Sequence, residues 1–123
     1  MVLGKGLVFV ESDMVGIKKS ADFRAVYRKR DSRANQFLVL YKKKNHFDQN
    51  RYGISVSKKV GNSVIRHRLK RQVREICRLN DDGLLCGFDF IFVLRADAKG
   101  ASYQELEQSF FNLVRRHKLQ KEQ

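Results

Sequence analysis

The sequence has no proline, only two cysteines, no long hydrophobic run and a shortage of acidic residues. No apolar run approaches the roughly 18 residues that a membrane-spanning helix needs, so no transmembrane segment is predicted. The opening residues, MVLGKGLVFVESDMVG, are only faintly apolar and lack a signal-peptide pattern. We therefore expect a cytoplasmic protein in which residues 1–16 are a poorly defined N-terminal extension, with Met14 as a candidate start residue.

The cysteines and histidines do not form a recognisable metal or redox motif. Cys77 and Cys86 lie nine residues apart, without a CxxC motif or a neighbouring histidine, and we interpret them as reduced thiols. His46, His67 and His117 fall in three different predicted elements, with no zinc spacing and no nucleophile beside them. The sequence therefore predicts no metal site and no catalytic residue in this chain.

Basic residues outnumber acidic residues two to one. The chain has 26 Lys and Arg against 13 Asp and Glu, a net charge of +13 and a pI near 10.1. Such a charge attracts polyanions, and nucleic acid is the commonest polyanion that a soluble protein meets. An anionic membrane surface is the competing partner. At 123 residues and 42% hydrophobic content, the chain matches one globular domain.

The first part of the chain has the pattern of a short helix followed by a strand. Ser20 is a candidate N-cap for a helix over SADFRAVYRKR, in which Phe23, Val26 and Tyr27 share one face. Residues 36–43, QFLVLYKK, have the β-branched and aromatic bias of a strand. No linker, repeat or low-complexity segment interrupts this pattern, which favours a single domain.

The second half adds two strands and two helices. Residues 51–58 alternate apolar side chains with small polar ones, and residues 88–95 are apolar on both faces, as in a buried strand. Ser102 and Glu105 match a capping box before the last helix. Its core stripe is Tyr103, Leu106, Phe110, Leu113 and Val114. The order α-β-β-α-β-α predicts an α+β fold, a two-layer sandwich with a small central sheet.

The segment KKVGNSVIRHRLKRQVRE, residues 58–75, predicts a helix with one apolar stripe and one basic arc. Asn62 or Ser63 caps the helix, which runs to about Leu79. At about 100° per residue, the aliphatic side chains fall within roughly 80° of one another. The stripe consists of Ile65, Leu69, Val73 and Ile76, and the arc consists of Arg66, His67, Arg68, Lys70, Arg71, Arg74 and Arg78.

The basic arc points to a polyanion partner rather than to a merely solvated face. Like charges four residues apart, such as Arg66 and Lys70, destabilise a helix by a few tenths of a kcal/mol per pair. A solvated face would carry interspersed acidic residues, whereas Glu75 is the single acidic residue here. Phe23, Tyr27 and Tyr41 are either core residues or platforms for unpaired bases, each base contributing about 1–3 kcal/mol.

Four segments resemble the bacterial ribonuclease P protein component. Members of that family carry a K-K-x-G-x-A-V-x-R-N-R-x-K-R-x-x-R-E pattern, and KKSADFRAVY resembles their opening K-x-x-D-F-x-x-V-F. ANQFLVLY and GISVSKK are also similar to the family, and the resemblance spans residues 17–118. The matching residues of the longest pattern are Lys58, Lys59, Gly61, Val64, Arg66, Arg68, Lys70, Arg71, Arg74 and Glu75. The chain departs from the family at His67, where asparagine is usual, and at residues 95–97, where Arg-x-Pro is usual.

The resemblance implies a ribonucleoprotein enzyme whose catalytic centre lies in RNA. It implies that the protein binds a catalytic RNA subunit and precursor tRNA, and assists hydrolytic removal of the 5′ leader. Mg²⁺ would be held mainly by the RNA, with none bound by the protein alone. It also implies a left-handed β-α-β crossover around the basic helix, a domain over residues 17–118 and a C-terminal tail over residues 119–123.

The resemblance further implies two sets of binding residues. The RNA-subunit-binding residues are Lys58, Lys59, Arg66, Arg68, Lys70, Arg71, Arg74 and Arg78. The residues of the 5′-leader cleft, between the sheet and the first helix, are Phe23, Tyr27, Tyr41, Arg66, His67 and Lys70.

Three other functions stay open from the residues alone. A general structured-RNA-binding protein, such as a ribosome-associated one, would use the same basic helix without any processing reaction. An autonomous metal-dependent nuclease would use the carboxylates of Asp81, Asp82 and Asp89. Membrane binding is the weakest of the three, because the apolar stripe of the basic helix is needed for the core.

Overall fold

The computed structural model describes residues 14–122, which form one mixed five-stranded sheet with three α-helices. The strands are β1 (Val15–Gly16), β2 (Ser32–Ala34), β3 (Leu38–Lys44), β4 (Arg51–Val56) and β5 (Phe88–Leu94). The helices are α1 (Ser20–Lys29), α2 (Ser63–Asn80) and α3 (Tyr103–Arg116), and short 3₁₀ turns cover Asp81–Gly83 and Ala96–Gly100.

The sheet places the two longest strands at its centre. Its strand order is β1-β4-β5-β3-β2, with β3 antiparallel to β5 and β4 parallel to β5. Because β4 and β5 are adjacent, parallel and joined through α2, they form a β-α-β crossover. The predicted crossover is therefore present, and its left hand stays a prediction.

The main core lies between one face of the sheet and the layer of α2 and α3. Alternate residues of β5 point into this core, and two of them, Phe90 and Phe92, are each 1% exposed. Burying a side chain of this size contributes about 1.5–3 kcal/mol. The helices supply Leu69, Val73, Ile76, Leu106, Phe110, Leu113 and Val114. The other two residues of the predicted stripes, Ile65 and Tyr103, are partly buried and pack against this core.

A smaller core lies on the opposite face of the sheet, beneath α1. Ile91 points to this face because it alternates with Phe90 and Phe92, and it packs with Ile17 and Val26. The burial of β5 on both faces is therefore confirmed. Helices covering a small mixed sheet confirm the α+β sandwich.

The helix caps follow the sequence at two of three positions. The Asn62 side chain accepts a hydrogen bond from the backbone N–H of Ile65, and Ser102 and Glu105 form the predicted capping box. The prediction that Ser20 caps α1 is wrong. Lys19 is the N-cap, because its carbonyl accepts the first hydrogen bond of the helix, from the backbone N–H of Asp22. The side chain of Lys19 makes no capping hydrogen bond.

The short edge strands were not predicted. β1 and β2 have two and three residues, too few to show an alternating pattern. The structure also extends the folded unit beyond residues 17–118, since Val15 pairs with Arg51 and Leu119 is 1% exposed. The part of the predicted extension that covers residues 1–13 lies outside the described residues.

Candidate nucleic-acid interface

The predicted aromatic residues meet in a cleft between α1 and the sheet. The rings of Tyr27 and Tyr41 lie nearly perpendicular, with centroids 4.9 Å apart. Both rings and Phe23 are half-buried, so each keeps part of its surface open. They pack around the small core that includes Ile91. The structure thus brings together the three aromatic residues assigned to the cleft, and gives them both a packing role and an exposed surface.

Gly53 forms the floor of the cleft beneath Phe23. A Cβ atom at this position would lie 2.6 Å from Cζ of Phe23, closer than real Cβ contacts. The absence of a side chain therefore allows the Phe23 ring to lie directly on β4. Alternation places Ser55 on the same face of the strand, whereas Tyr52 faces the main core. The small polar face predicted for this strand is the cleft floor.

An ion-pair network holds α1 against the sheet at one end of the cleft. The Arg51 guanidinium lies 2.6 Å from a carboxylate oxygen of Asp89 on β5 and 3.4 Å from one of Asp22 on α1. Burial alone would raise the pKa of Asp89, but hydrogen bonds from Arg51 and Asn45 outweigh it and lower the pKa. Asp89 is therefore a carboxylate at neutral pH, and it anchors the arginine that reaches α1.

One side of α2 borders the cleft. Lys70 and Arg74, four residues apart on the helix, line a pocket of about 220 Å³ together with Phe23 and Gly53. Both cationic side chains are exposed. Lys70 is thus next to the aromatic cleft, as predicted, and Arg74 joins it although the sequence assigned Arg74 only to the RNA subunit.

Arg66 and His67 have weaker links to the cleft. Arg66 is half-buried and donates a hydrogen bond to the Gly61 carbonyl at 2.8 Å, which fixes the guanidinium at the start of α2. His67 is exposed on the basic arc. Among residues 14–122, no hydrogen bond or ion pair joins His67 to the aromatic residues. The cleft roles of Arg66 and His67 stay predictions.

Two of the other basic residues of α2 make contacts within the protein. Arg68 donates to the carbonyl of Lys99 at 3.0 Å, and Arg78 forms a two-bond pair with Glu75. The first contact joins α2 to the 3₁₀ turn at Ala96–Gly100, and the second lies along the surface of the helix. The exposed cations assigned to the RNA subunit are Lys58, Lys59, Lys70, Arg71 and Arg74. The arc is therefore exposed largely as predicted, with Arg68 and Arg78 also engaged in contacts within the protein.

The three aspartates of the nuclease hypothesis do not form a cluster. Asp81 accepts hydrogen bonds from the Tyr52 hydroxyl and from the Asn50 amide at 3.2 Å. Asp89 is paired with Arg51, while Asp82 is exposed. Within the described part of the chain, no group of three His, Cys, Asp or Glu residues has the geometry to hold a metal ion.

The two cysteines lie apart. Cys77 is buried in the main core, where burial strongly raises the pKa of its thiol, and Cys86 is exposed. Both thiols are free. Of the helices in residues 14–122, none combines the length and hydropathy required of a membrane span.

Sequence reasoning missed three residues that shape the cleft. Gly53 and Arg51 lie in a strand recognised only by its alternation, and the partners that give them a role are distant in sequence. Arg74 carried a usable signal, because it follows Lys70 by four residues and so lies on the same side of α2. A helical-wheel comparison with Lys70 could therefore have assigned Arg74 to the cleft.

Comparison with known proteins gives one consistent family. The model of the family described as Ribonuclease P matches residues 13–118. The ribonuclease P protein component of Lachnoclostridium phytofermentans is 48% identical over 103 residues, covering 84% of this chain and 89% of that protein. The structure of the Staphylococcus aureus RNase P protein aligns with a TM-score of 0.79 and 37% identity, covering 85% of this chain and 96% of that one. The Thermotoga maritima RNase P protein aligns with a TM-score of 0.76 and 30% identity, covering 82% and 96%.

Proposed function

The chain belongs to the ribonuclease P protein family and is the protein subunit of that endoribonuclease, and from this premise we propose how it acts. It binds the catalytic RNA subunit through the basic arc of α2 and binds the 5′ leader of precursor tRNA in the cleft beneath α1. By holding both RNAs, it assists the endonucleolytic cut that produces the mature 5′ end of tRNA. This work takes place in the cytoplasm.

The observation that carries the proposal is an aromatic cleft bordered by cations. Phe23, Tyr27 and Tyr41 expose ring surface in one groove, and Lys70 and Arg74 stand at its edge. Aromatic rings stack on unpaired bases, whereas cations track the phosphates of the same strand. The bases of a duplex are already stacked and paired. The cleft therefore suits a single-stranded segment such as a leader.

The chemistry of the cut belongs, in this proposal, to the RNA subunit. Mg²⁺ would be held mainly by RNA phosphates, where it would supply an activated water and stabilisation of the leaving oxygen. The carboxylates of Asp81 and Asp89 fit a structural role better than a catalytic one, because Tyr52 and Asn50 bind the first and Arg51 and Asn45 bind the second. We therefore assign no catalytic residue and no protein-held Mg²⁺ to this chain.

The protein contributes positioning and charge neutralisation. The exposed cations of α2 reduce the repulsion between the phosphates of two RNA molecules, an effect that releases counterions and depends strongly on salt. The stacked leader fixes the register of the precursor relative to the RNA subunit. Both effects lower the free energy of the bound precursor and are most valuable at low Mg²⁺, where fewer divalent ions screen the phosphates.

The first test is cleavage of precursor tRNA at low Mg²⁺ with protein alone, catalytic RNA alone and both together. We expect cleavage at the mature 5′ end only when both are present. Cleavage by the protein alone would contradict a catalytic centre in the RNA. Asp82 would then be the first residue to substitute, because it is the exposed one of the three aspartates of the nuclease hypothesis.

A general structured-RNA-binding protein is the alternative that this test also addresses. Such a protein would bind the catalytic RNA without increasing cleavage. It would also bind precursor and mature tRNA equally, because it has no use for a leader. A holoenzyme that binds the precursor more tightly than mature tRNA supports the leader cleft and excludes this alternative.

A further inference from the structure

A second basic surface lies at the sheet edge formed by β2 and the end of β3. Arg33 is paired with Leu40 across these strands, and directly paired residues lie on the same face of a sheet. Lys42 and Lys44 alternate along β3 with its other face, so they share the main-core side with Leu40. Arg116 of α3 donates a hydrogen bond to a backbone carbonyl of β2 at 2.8 Å and so joins them. We call Arg33, Lys42, Lys44 and Arg116 the edge patch.

The edge patch is open because α3 ends beside the middle of β3. Nε2 of His117, the C-cap of α3, lies 2.9 Å from the carbonyl oxygen of Leu40. The chain then leaves β3, and Gln120 forms a bridge with Leu84. β3 continues past this point to Lys44, which is exposed. The exposed members of the patch are Arg33, Lys44 and Arg116, whereas Lys42 is half-buried.

The edge patch has four cations and a single ion-paired carboxylate. Nζ of Lys42 lies 3.2 Å from a carboxylate oxygen of Asp31. His117 lies 4.0 Å from the same carboxylate, but burial lowers the pKa of the imidazole below its ordinary value, so His117 is neutral at pH 7. Asp31 therefore neutralises one cation. The cations that form no ion pair within residues 14–122 are Arg33, Lys44 and Arg116.

α3 separates the edge patch from the basic arc of α2. The arc lies beside β1 and β4 through Lys70 and Arg74, whereas the edge patch lies on β2 and β3, at the other end of the strand order. At about 4.8 Å between neighbouring strands, β4 and β2 lie roughly 14 Å apart. Residues 103–114 of α3 contain no Lys or Arg and include Glu105 and Glu107. The two basic surfaces are therefore distinct, and a polyanion that uses both has to offer two segments.

The chemistry of the edge patch fits the phosphates of paired RNA. Phe88, the nearest ring, is only 9% exposed, and the Lys42 ammonium lies over it, so the patch offers no platform for an unpaired base. Tyr41 belongs to the opposite face of β3. Cations on an open surface contact backbone phosphates rather than base edges. A duplex presents its phosphates while its bases stay stacked, and it is the form of RNA that such a surface can bind.

The catalytic RNA subunit is the partner that fits two separate surfaces. It is already assigned to the α2 arc, and a large RNA has further duplex segments that can reach the second surface. The body of tRNA fits less well, because a site for it would hold the mature product as firmly as the precursor.

Protection of an edge strand is the simpler explanation of the same charges. Charged side chains, lysine especially, keep edge strands such as β2 from pairing with another chain. That role requires no cation from α3, whereas Arg116 of α3 places its guanidinium at this edge. Edge protection also predicts no effect of these charges on RNA binding, so an experiment can separate the two explanations.

We propose that the edge patch binds backbone phosphates of a second base-paired segment of the catalytic RNA, separate from the segment bound by α2. This inference rests on the proposed function and extends it. Two contacts at opposite edges of the sheet fix the orientation of the protein on the RNA, which a single basic helix does less well. Both contacts contribute to the salt dependence of assembly.

The test measures equilibrium binding of the full-length protein to the catalytic RNA over a range of salt concentrations. R33Q/K44Q should raise the dissociation constant about 2- to 30-fold, the range expected for two exposed ion pairs. The slope of log affinity against log salt should fall by about 2, one for each phosphate contact. The melting temperature should equal that of the wild type, because neither side chain bonds to another described residue.

Two control variants accompany this test. R33K/K44R keeps both charges and should bind the catalytic RNA as the wild type does. R24Q/R28Q removes two exposed charges from α1, which covers the opposite face of the sheet, and should leave the affinity unchanged. If R24Q/R28Q lowers the affinity as much as R33Q/K44Q does, net charge rather than the edge patch is responsible, and the inference is wrong.

Hydroxyl-radical footprinting of the catalytic RNA, at saturating protein, tests whether the two surfaces contact different segments. R33Q/K44Q should lose protection in a base-paired segment that Arg71→Ala still protects. Loss of the same segment in both variants would show one continuous contact and would overturn the second site. Loss confined to unpaired nucleotides would contradict the assignment to a duplex.

The remaining outcomes separate this inference from the proposed function. Unchanged affinity and salt slope for R33Q/K44Q would overturn the inference and leave edge protection as the role of these residues. A holoenzyme with this variant that binds mature tRNA more weakly, while the protein keeps normal affinity for the catalytic RNA, would assign the patch to tRNA and also overturn it. A wild-type protein that does not bind the catalytic RNA would instead contradict the proposed function itself.

Discussion

At the scale of single residues, the cleft depends on one half-buried ring and on one position without a side chain. Tyr41 lies on β3 with its ring against Tyr27, and Gly53 on β4 leaves space for Phe23. In the proposed function, Tyr41 supplies a surface for a base. Gly53 allows α1 to lie close to the sheet. Each can be changed without touching the basic arc of α2.

Tyr41→Ala should selectively weaken binding of leader-bearing precursor. The variant loses a stacking platform worth about 1–3 kcal/mol per base, so the dissociation constant should rise roughly 5- to 150-fold. Affinity for mature tRNA should not change. Equilibrium binding of both RNAs to the holoenzyme measures this, with Tyr103→Ala on α3 as the aromatic control. Equal losses for both RNAs would remove Tyr41 from the leader site.

Gly53→Ala should displace Phe23 and distort the cleft. The added methyl group would lie 2.6 Å from the Phe23 ring, and forcing an extra carbon into a packed site costs about 1–3 kcal/mol. We expect a lower melting temperature together with weaker binding of the precursor. Gly100→Ala is the matched control, because a Cβ there meets nothing within 4 Å. A fully stable Gly53→Ala variant with normal leader affinity would contradict this role.

At the scale of elements, α1 is joined to the sheet by a buried carboxylate acting through an arginine. Asp89 is 3% exposed and binds Arg51, which in turn reaches Asp22 in the first turn of α1. The hydrophobic contact below α1 is small, with Ile17, Val26 and Ile91 at its centre. The ion-pair network therefore contributes to fixing the orientation of α1 and the width of the cleft.

Asp89→Asn should destabilise the protein at neutral pH by about 1.5–3 kcal/mol, since it removes charge-assisted hydrogen bonds to Arg51. The pKa of Asp89 is lower in the folded than in the unfolded protein. The carboxylate's stabilising contribution is therefore fully present above its ordinary pKa of about 3.9 and is lost as pH falls through the folded value. Urea unfolding should show the stabilities of wild type and variant converging as the pH falls below about 4.

The control for this titration is Asp48→Asn, in the exposed loop before β4. At every pH of the titration, this variant should have a free energy of unfolding within about 0.5 kcal/mol of the wild-type value. A difference between wild type and Asp89→Asn that stays constant in acid would show that the loss comes from packing rather than from the ionised carboxylate.

At the scale of the whole molecule, the proposed function assigns two RNA-binding tasks to two sides of α2. Lys70 and Arg74 border the leader cleft, whereas Arg68 reaches Lys99 on another side. The apolar stripe between helix and sheet keeps these sides fixed relative to the core. In the proposed function, this one helix therefore holds the catalytic RNA and the precursor in a constant relation.

Arg71→Ala should weaken assembly with the catalytic RNA. Arg71 is exposed, and unlike Arg68 it makes no hydrogen bond within the described residues, so its loss removes a phosphate contact without disturbing the fold. The slope of log affinity against log salt should fall by about 1. Filter binding of protein to catalytic RNA measures it, with Arg115→Ala as the control. An unchanged slope would place Arg71 outside the RNA interface.

The sequence predicted the elements that have strong local signals. The apolar stripe of α2, the capping box of α3 and the uninterrupted hydrophobicity of β5 depend on residues near one another in the chain, and all three are confirmed. Ser20 was a misleading local signal, because backbone hydrogen bonds to Lys19 determine where α1 begins. The edge strands β1 and β2 are set by pairing partners, which a pattern of two or three residues cannot indicate.

By itself the sequence determined the family, the α+β fold, the basic arc and the aromatic residues assigned to the cleft, because motif spacing and side-chain periodicity are properties of neighbouring residues. Only the tertiary structure decided that Gly53 supports Phe23 and that Arg51 links Asp89 to Asp22. It also brought Arg116 of α3 to the edge strand β2. These contacts join residues from different elements, and their distances follow from how the sheet and helices pack.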